Sequence, residues 1–472
     1  MTFPNQFPHP GGVSTTTPPA TTHRSLIHHA DFRRLWTGDA FGQLGAQLTG
    51  LALPVYAVQH LAATEWQMGA LTAAETAAFL VIGLPAGAWV DRMRKRRVLI
   101  TSDLVRAAVL AVVVAAAVTG HASMWLLIVA GLVISAASVF FDVAHQSYVP
   151  GLVGLDHIVE GNSKLQATQS VAQIAAPALG GVLLRVVTAP ALIGINVVTY
   201  LVSAFAVGRI RHEETPPAPE SRRPLKTEIA EGLSFVVHQP LLRRIVACTS
   251  LSNLFNSSAT AVTAIYVLRT LDLSTAAWGT VLSASAIGGL VGAVVADRLA
   301  RWVGEGRIIP LAALLCFPTY ALIPLSASTS IDPQVLLIAS GVTFYFAVVV
   351  YNVAQVSFRQ RLCPPALLGR MNASVRFIVW GTMPLGGLLG GWLGAQAGVV
   401  PTLWVGAIGM LVAALPVVLS PLLGMRVLPV PSHDDPADPA AETQDDAVLE
   451  GTPHPHTAPG GPAGTTGEPP VG

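Results

Sequence analysis

Charged residues are scarce in this chain: Asp, Glu, Lys and Arg together make up 11% of its 472 residues. A soluble domain contains roughly 25%, so the composition is not that of a soluble globular protein. The formal net charge is only +1, and the arginines stand at the ends of apolar segments rather than together on one polar face. We therefore expect no binding to nucleic acid.

Cysteine is rare as well, and several catalytic motifs are missing. Cys248, Cys316 and Cys363 are far apart and lie in or beside apolar segments, a spacing typical of neither a disulfide framework nor a metal site. The sequence has no G-x-x-x-x-G-K-[ST] loop, which argues against an ATPase, and no H-E-x-x-H or G-x-S-x-G, which argues against an embedded hydrolase. We expect no enzyme activity, no metal and no cofactor.

Apolar residues fill most of the chain. Hydrophobic residues make up 52% of it, and the mean hydropathy is +0.58. Apolar runs of about 20 residues, long enough to cross a bilayer as a helix, recur throughout. We predict an all-α membrane protein with twelve spans, at 36–59, 67–90, 98–119, 124–147, 164–184, 189–208, 245–268, 275–298, 307–328, 334–357, 373–396 and 401–424.

The segments outside these spans are polar. The tails, 1–30 and 425–472, are rich in Pro, Thr, Gly or acidic residues, and we expect both to be disordered. The first tail lacks the apolar core of a signal peptide. The long central connection, 209–244, contains KTEIAEGLSFVVHQPLLRR with apolar residues at helical spacing, which indicates either an amphipathic helix on the membrane surface or a plain linker.

The basic residues give the orientation. With twelve spans, only Arg185 and Arg269 of the 27 basic residues fall at outer ends. Cytoplasmic loops carry the excess of Lys and Arg, so both termini are expected in the cytoplasm of a bacterial cell, with the protein in the inner membrane.

The two halves of the chain resemble each other. The dipeptide Asp91-Arg92 returns as Asp297-Arg298, about 206 residues later. FDVAHQSY, GNSKLQ and PALGG of the first half likewise match YNVAQVSF, MNASVR and PLGG of the second, in the same order and at nearly the same offset. We expect a duplicated six-helix unit, with bundles at 31–208 and 245–424 related by an axis along the membrane normal.

The turn after the second span carries a known motif. Its residues are Gly87, Asp91, Arg92, Lys95 and Arg96. This pattern resembles the signature between helices 2 and 3 of the major facilitator superfamily, with Arg94 at the place of the usual internal glycine. The resemblance implies alternating access and a cytoplasmic gate, to which Asp297 and Arg298 also belong. In that family the Asp caps a helix of the opposite half and the arginines hold carboxylates and carbonyls.

Span 5 adds a further resemblance. Ala176-Pro177-Ala178-Leu179-Gly180-Gly181 is similar to the Gly-Pro-x-x-Gly-Gly element of the exporters in that superfamily, where Pro177 would kink the span and Gly180 and Gly181 would permit close helix approach. The stretches DFRRLWTGDAFGQLGAQLTGLALPVYAVQ, FFDVAHQSYVPGLV and KTEIAEGLSFVVHQPLLRRIV resemble the enterobactin-exporter-like and macrolide-efflux-like branch.

Four ionisable residues within the spans are candidates for proton coupling. Glu75 has no cation within a helical turn, so it is either a proton carrier or a packing residue hydrogen-bonded across helices. Asp103 and Arg106 share one helix face and form either a self-neutralising structural pair or a coupling element. Asp39 either takes part in coupling or reaches interfacial water.

Two further residues are candidates for the gate. Asp142, at the inner end of span 4, is within range of Arg376 of span 11 or of the arginines after Asp91. A gate pair and a simple helix-end effect both fit the sequence.

The resemblance also places spans 1, 4, 7 and 10 around a central cavity. The polar residues on three of them are substrate-cavity candidates: Gln43, Gln47, Tyr56, Asn253, Asn256, Thr343, Tyr345 and Tyr351. Such residues also serve as contacts between helices. Trp66, Trp125, Trp278 and Trp404 lie near span ends and are interpreted as interface anchors.

These observations predict a monomeric secondary transporter in the lipid bilayer that couples protons to the export of small amphipathic or drug-like molecules. An importer or facilitator of the same fold is the first alternative. A membrane sensor or assembly factor is the second, although the sequence shows no domain for ligand binding or signalling.

Overall fold

The computed structural model describes residues 26–154, 157–184, 186–212, 214, 225–363 and 367–426. Its α-helices are α1 Ala30–His60, α2 Glu65–Val81, α3 Gly83–Asp91, α4 Lys95–Val118, α5 Met124–Val153, α6 Ile158–Leu183, α7 Ala189–Gly208, α8 Leu225–His238, α9 Pro240–Ile265, α10 Thr275–Val303, α11 Ile308–Leu325, α12 Pro333–Leu362, α13 Leu368–Ala397 and α14 Val399–Val418. Apart from these there are 3-10 turns at Leu26–His28 and Pro421–Gly424 and a π-helical turn at Tyr266–Thr270.

The helices follow the predicted order of spans. When α8 is set aside and α2 and α3 are counted together, the fourteen α-helices of the described chain give twelve long segments. Eight of them, α4, α5, α7 and α10 to α14, are long and apolar enough to cross a membrane by length and composition alone. The arrangement is the all-α fold of twelve long segments that the sequence predicts.

Several helices extend beyond the predicted limits, and the second predicted span is interrupted. Residues 67–90 were expected to form one helix, but α2 ends at Val81 and α3 begins at Gly83, with Ile82 capping both. Pro85 follows in the first turn of α3, where a proline is tolerated because its missing N–H would have no helical partner. Within a continuous helix a proline removes one backbone hydrogen bond and favours a kink or a break.

Polar side chains begin four of the helices at one end of the bundle. Thr64, Ser123, Ser274 and Asp332 each accept a hydrogen bond from a backbone N–H in the first turn of α2, α5, α10 and α12, respectively. Such caps satisfy N–H groups that have no partner within the helix. We call this the opposite end. The basic end is the one that holds the Arg92–Arg97 turn, the start of α1 and the end of α14.

The packing of the first six segments is repeated by the last six. α1 packs on α6 and α7, as α9 packs on α13 and α14. α5 packs on α2 and α4, as α12 packs on α10 and α11, and α4 meets α7 as α11 meets α14. Buried apolar clusters lie within each half, for example around Phe32 and Leu99 in the first and around Ile309 and Phe358 in the second. The fold is therefore a doubled six-helix unit.

Two helix pairs join the halves. α2 packs along α13, and α6 packs along α10, with smaller contacts from α1 and α2 to α9. These two pairs are themselves related by the repeat, because α2 corresponds to α10 and α6 to α13. The surface between the halves is therefore built from the same two helices of the repeated unit in each half.

The connection between the halves contains the expected helix. α8 packs on α13 and α9, where Val236 is buried and Glu231 lies 2.5 Å from Arg370. Leu233 and Val237 remain exposed on its other side. An apolar exposed face beside the bundle suits a helix at the membrane surface.

Part of the first tail is ordered. Residues 1–25 lie outside the described chain, but 26–30, expected to be disordered, form the 3-10 turn and the start of α1. Leu26 is buried, and its N–H donates to Glu160 of α6. Asp31 accepts hydrogen bonds from Arg34 and from the backbone N–H of Arg211. Burial by itself would raise the pKa of the Asp31 carboxyl, but these bonds outweigh it and hold the pKa below its ordinary value.

Candidate functional site

A cavity of about 420 Å³ lies among the helices of the second half. Its walls come from α9, α10, α11 and α12, with Met410 of α14, and α1 of the first half contributes Gly50, Leu51 and Pro54. All of the side chains that line it are uncharged. The cavity is therefore a polar and aromatic chamber without an ionic anchor.

The structure separates the predicted cavity residues into two groups. Asn253, Asn256, Tyr345 and Tyr351 line the chamber. The other four do not line it, and they are Gln43, Gln47, Tyr56 and Thr343.

Three of those four have contacts elsewhere in the structure. Tyr56 is only 4% exposed and stacks on His60, inside the apolar cluster of the first half. Gln43 lies beside the carboxylate of Asp39. Thr343 donates to the carbonyl of Ala339 on its own helix.

Two of the polar lining residues hold helices together. Asn253 donates to the carbonyl oxygen of Val379, 3.0 Å away on α13. The Tyr351 hydroxyl lies 2.7 Å from the hydroxyl of Thr249 and thus ties α12 to α9. Within the described chain, no hydrogen bond engages the side chains of Asn256 and Tyr345, which leaves both available to a bound molecule.

Sequence reasoning missed the aromatic wall of the chamber. Trp278, Tyr320 and Phe344 line it from α10, α11 and α12, and Tyr320 meets Phe344 edge to face. Trp278 was expected to anchor at the membrane interface and instead contributes to the chamber. A tryptophan near a span end can be an interface anchor or a chamber residue. Only the side of the helix on which it lies distinguishes the two roles.

Glu75 lies on α2 against α5. A Cβ atom on Gly131 of α5 would be 3.3 Å from the Glu75 side chain, so the glycine makes room for it. Within the described residues, the Glu75 carboxylate has neither an ion pair nor a hydrogen bond, and it does not line the chamber. Its helix packs on α13 of the other half through Gly69 and Ala73, whereas Glu75 is on the side of α2 that meets α5.

A buried charged cluster lies inside the first half. Asp103 and Arg106 form an ion pair at 2.5 Å, and both are almost inaccessible. The Arg106 guanidinium lies over the rings of Phe141 and Tyr200, 4.3 and 4.4 Å from their centroids. These two ring contacts and the Asp103 carboxylate fix this cation in place.

Asp39 joins this cluster from α1. It is 5% exposed, so the alternative that it reaches interfacial water is wrong: its helix turns it inward, toward α4 and α5. The nearest titratable partner is His145 of α5, whose Nε2 lies 3.8 Å from the carboxylate. Sequence reasoning did not select His145. Its spacing of three residues from Asp142 on one helix face was the available indication.

An ion pair joins the halves near the basic end. Arg376 of α13 donates to Asp142 of α5 at 2.5 Å. The guanidinium also lies over the rings of Phe79 and Trp380, which contact each other. Asp142 thus meets Arg376 rather than the arginines after Asp91.

The first copy of the signature motif closes the end of its own half. Arg96 donates to the carbonyl oxygens of Val207 and Gly208 at the end of α7. The backbone N–H groups of Lys95 and Arg96 donate to the Glu214 carboxylate, which therefore sits at the N-terminus of α4, a position that favours an anion.

The remaining motif residues differ between the copies. Gly87 lies in α3, Arg92 is exposed just after it, and the side chain of Asp91 is outside the described structure. Asp297 and Arg298 are exposed on α10, which continues to Val303. No partner for either side chain is found in the described ranges, and their place in the gate stays a prediction.

The span-5 element lies on α6 where this helix meets α10. A Cβ atom on Gly181 would overlap Gly279 and Ser283 of α10, and one on Gly180 would lie 2.6 Å from Leu51 of α1. The side chain of Pro177 is outside the described structure. The two glycines permit the close helix approach that the sequence suggested.

A second contact between the halves lies at the opposite end. Arg269, in the π-helical turn after α9, donates to the carbonyl oxygens of Ala63 and Val58 at 2.7 and 2.9 Å. Gln59 of α1 donates to Thr275 of α10 beside it. The sequence indicates that Arg269 lies at this end but suggests no partner for it. The structure shows that it binds the two carbonyl oxygens.

Comparison with known proteins gives consistent matches. The family model described as Major Facilitator Superfamily matches residues 35–382. The multidrug efflux pump Tap of Mycolicibacterium fortuitum is 26% identical over 397 residues, covering 80% of this chain and 93% of that protein. The enterobactin exporter EntS of Escherichia coli O1:K1 / APEC is 23% identical over 353 residues, covering 74% of this chain and 81% of that protein.

Solved transporter structures have the same fold. A bacterial homologue of the iron transporter ferroportin, in an inward-facing state, has a TM-score of 0.63 at 16% identity and covers 84% of this chain and 99% of its own. The nucleoside transporter NupG has a TM-score of 0.62 at 15% identity and covers 82% of this chain and 98% of its own. At these identities the likeness concerns the fold alone.

Proposed function

Because the chain belongs to the Major Facilitator Superfamily, a family of membrane transporters and not of enzymes, we propose that it is a secondary active transporter that exports small amphipathic or drug-like molecules in exchange for protons. The proposal draws on the efflux pump and the exporter among its relatives. Such transporters typically work as monomers, and we propose the same here, in the inner membrane of a bacterium.

The observation that carries the substrate class is the uncharged chamber. Its volume of about 420 Å³ is within the range of sites for drug-sized ligands. Aromatic rings such as Tyr320 and Phe344 offer apolar and stacking surface, while Asn256 and Tyr345 offer hydrogen bonds. An inorganic anion or a sugar phosphate would enter without a cation to pair with, which disfavours both. An amphipathic organic molecule uses both kinds of lining.

We further propose that residues 31–208 and 245–424 are the two moving bodies. The basic end faces the cytoplasm, because its arginines would be retained there. Arg376 and Asp142 would close the cytoplasmic side, and Arg269 with the carbonyl of Ala63 would close the other. Exchange between these two sets of contacts exposes the chamber to one side at a time.

Glu75 is the proposed proton carrier for transport. It is an unpaired carboxylate within a span, which is expensive when charged, and it lies on α2, one of the helices that join the halves. When the halves separate, water reaches it and the charged form is stabilised. When they close, the neutral form is favoured, so the carboxyl gains and loses its proton within each cycle.

Dye accumulation in intact cells tests the export function. Cells that express the protein are expected to accumulate less ethidium and less Hoechst dye than cells with an empty vector, and a protonophore should restore the accumulation. A panel of antibiotics extends the test to other amphipathic compounds. Unchanged accumulation of every dye and antibiotic contradicts efflux and favours an importer or facilitator.

Replacement of Glu75 tests the coupling. In proteoliposomes, Glu75→Gln is expected to abolish ethidium movement driven by a proton gradient while equilibrium binding of ethidium is retained. Glu65→Gln, in the first turn of the same helix, is the matched control and should keep both. Retained proton-driven movement in Glu75→Gln contradicts the assignment and transfers it to Asp39 or Asp103.

A further inference from the structure

His145 and Asp39 lie together in the buried charged cluster, and neither has a role in the transport cycle described above. Their closest approach is 3.8 Å, between Nε2 and Oδ1. That distance is too long for a hydrogen bond and short enough for a direct charge interaction. The buried Nε2 of His145 has no hydrogen-bond partner in the described structure.

The charges of the cluster do not cancel, and one added proton would make it neutral. It contains two carboxylates, Asp39 and Asp103, one guanidinium, Arg106, and the imidazole of His145. Arg106 is already used by Asp103 at 2.5 Å. A buried uncompensated charge is costly, so the cluster has a place for one proton, shared by the Asp39 carboxylate and the His145 imidazole.

The helices packed around α5 supply the other charged groups near His145. From α4 these are Asp103 and Arg106, and from α1 it is Asp39, with the amide of Gln43 beside it. On α6, Lys164 is engaged by Glu160 nearer the end of the bundle. On α2, which also packs on α5, Glu75 lies farther along the helix, against Gly131. On α5 itself the charged neighbour is Asp142, one turn away on the same face.

Asp142 connects this cluster to the contact between the halves. Its carboxylate is bound by Arg376 of α13, and its charge also acts on Asp39. With a neutral imidazole, Asp142 depends on Arg376 for its counter-charge. An imidazolium at His145 gives Asp142 a second cation within its own half. Asp142 then depends less on its bond to Arg376 across the halves.

We propose that Asp39 and His145 form a proton-binding site that controls the basic end: a proton bound there weakens the Asp142–Arg376 bridge and allows the halves to separate at that end. This site is distinct from Glu75, and the inference rests on the proposed alternating access. Linkage requires the reverse effect as well, so separation of the halves at the basic end favours the bound proton. Proton-driven export requires that proton binding promotes the opening of the inner side, and this site would provide that order of events.

Distances across the basic end test the proposal. Spin labels are placed on Arg97→Cys of α4 and Trp302→Cys of α10, both exposed, in a full-length chain whose three buried cysteines are replaced. Double electron–electron resonance is recorded in lipid nanodiscs at pH 8 and pH 5.5. The ratio of long to short distances is expected to rise about fivefold or more at the lower pH, the size of an ordinary coupling between two sites.

Two replacements of His145 should act in opposite directions. His145→Gln cannot carry the proton and should keep the short distance at both pH values. His145→Arg carries a permanent charge and should keep the long distance at both. His121→Gln, at an exposed histidine of the opposite end, should retain the full pH response. A residue that only supports packing would not produce shifts of opposite sign.

The outcomes separate this inference from the proposed function. An undiminished pH response in both His145→Gln and Asp39→Asn overturns the inference, even if the wild-type protein exports ethidium. Conversely, a response that is lost in these two variants supports the inference, even if no dye is exported and the efflux proposal fails. Asp39→Asn also covers the case in which His145→Gln does not fold.

Discussion

Gly181 of α6 and Gly279 of α10 face each other so closely that a Cβ atom on either would overlap the backbone of the other. The same relationship holds for Gly69 of α2 and Gly391 of α13. Each pair lies toward the opposite end, at one of the two places where the halves pack together. Side chains of minimal size therefore bring the halves into backbone contact at two positions related by the internal repeat.

Replacement of Gly181 by Ala is expected to hold α6 and α10 apart. Inserting a methyl group into such a contact costs about 1–3 kcal/mol, and the closed arrangement of the opposite end should lose that stability. The thermal unfolding temperature in detergent and the rate of proton-driven ethidium movement should both fall. Gly194→Ala is the matched control, because a Cβ atom there meets open space on α7. A Gly181→Ala protein with unchanged stability and rate contradicts a role for this contact.

The order of the helices could be predicted from the sequence, because each span is apolar and the repeat fixes the topology. The ends of the helices could not be read in the same way. α1 begins at Ala30 and α9 at Pro240, about five residues before the apolar runs, because a helix continues past the hydrocarbon as long as its backbone groups are satisfied. The break at Ile82 falls inside a continuous apolar run, so hydropathy does not show it. Pro85 is the nearest proline, a residue that favours a break.

The helix faces were harder to predict than the helices. A membrane helix is apolar on most of its surface, so Tyr56 and Tyr351 are alike in sequence although one stacks on His60 in the first half and the other lines the chamber. Asp103 and Arg106 were readable as a pair because they are three residues apart. Asp39 and His145 are on different helices, and only the fold brings them together.

Arg269 is expected to stabilise the closed opposite end. Its two hydrogen bonds to carbonyl oxygens of the first half involve a charged donor, and bonds of this kind contribute about 1.5–3 kcal/mol each. Arg269→Gln should therefore shift the protein toward separation at that end. Spin labels on His121→Cys and Thr329→Cys, in exposed turns of the two halves, report the distance, which should lengthen.

The control for Arg269 is an arginine without a contact across the halves. Arg301 is exposed near the basic end of α10, and Arg301→Gln should leave the His121–Thr329 distance unchanged. The carbonyls of Val58 and Ala63 would lose their donor only in Arg269→Gln. Equal distances in the wild type and in Arg269→Gln would show that the glycine contacts are sufficient to close this end.

The chamber predicts different roles for two of its tyrosines. Tyr345 is 40% exposed and has no hydrogen bond within the described chain, whereas Tyr351 is buried and bonded to Thr249. Tyr345→Ala should therefore weaken ethidium binding by about tenfold, as the loss of one aromatic contact does, with little effect on stability. Tyr351→Phe should lower the unfolding temperature, because it removes the hydrogen bond that ties α12 to Thr249 of α9.

Thr343 supplies the comparison on the same helix. It does not line the chamber, and its hydroxyl bonds to its own helix at Ala339, so Thr343→Ala should bind ethidium as the wild type does. Binding is measured by fluorescence titration of the purified protein, and stability by thermal unfolding of the same samples. If Tyr345→Ala and Thr343→Ala bind ethidium equally well, the chamber of the second half is not where the dye binds, and the substrate class argued from its uncharged walls loses its basis.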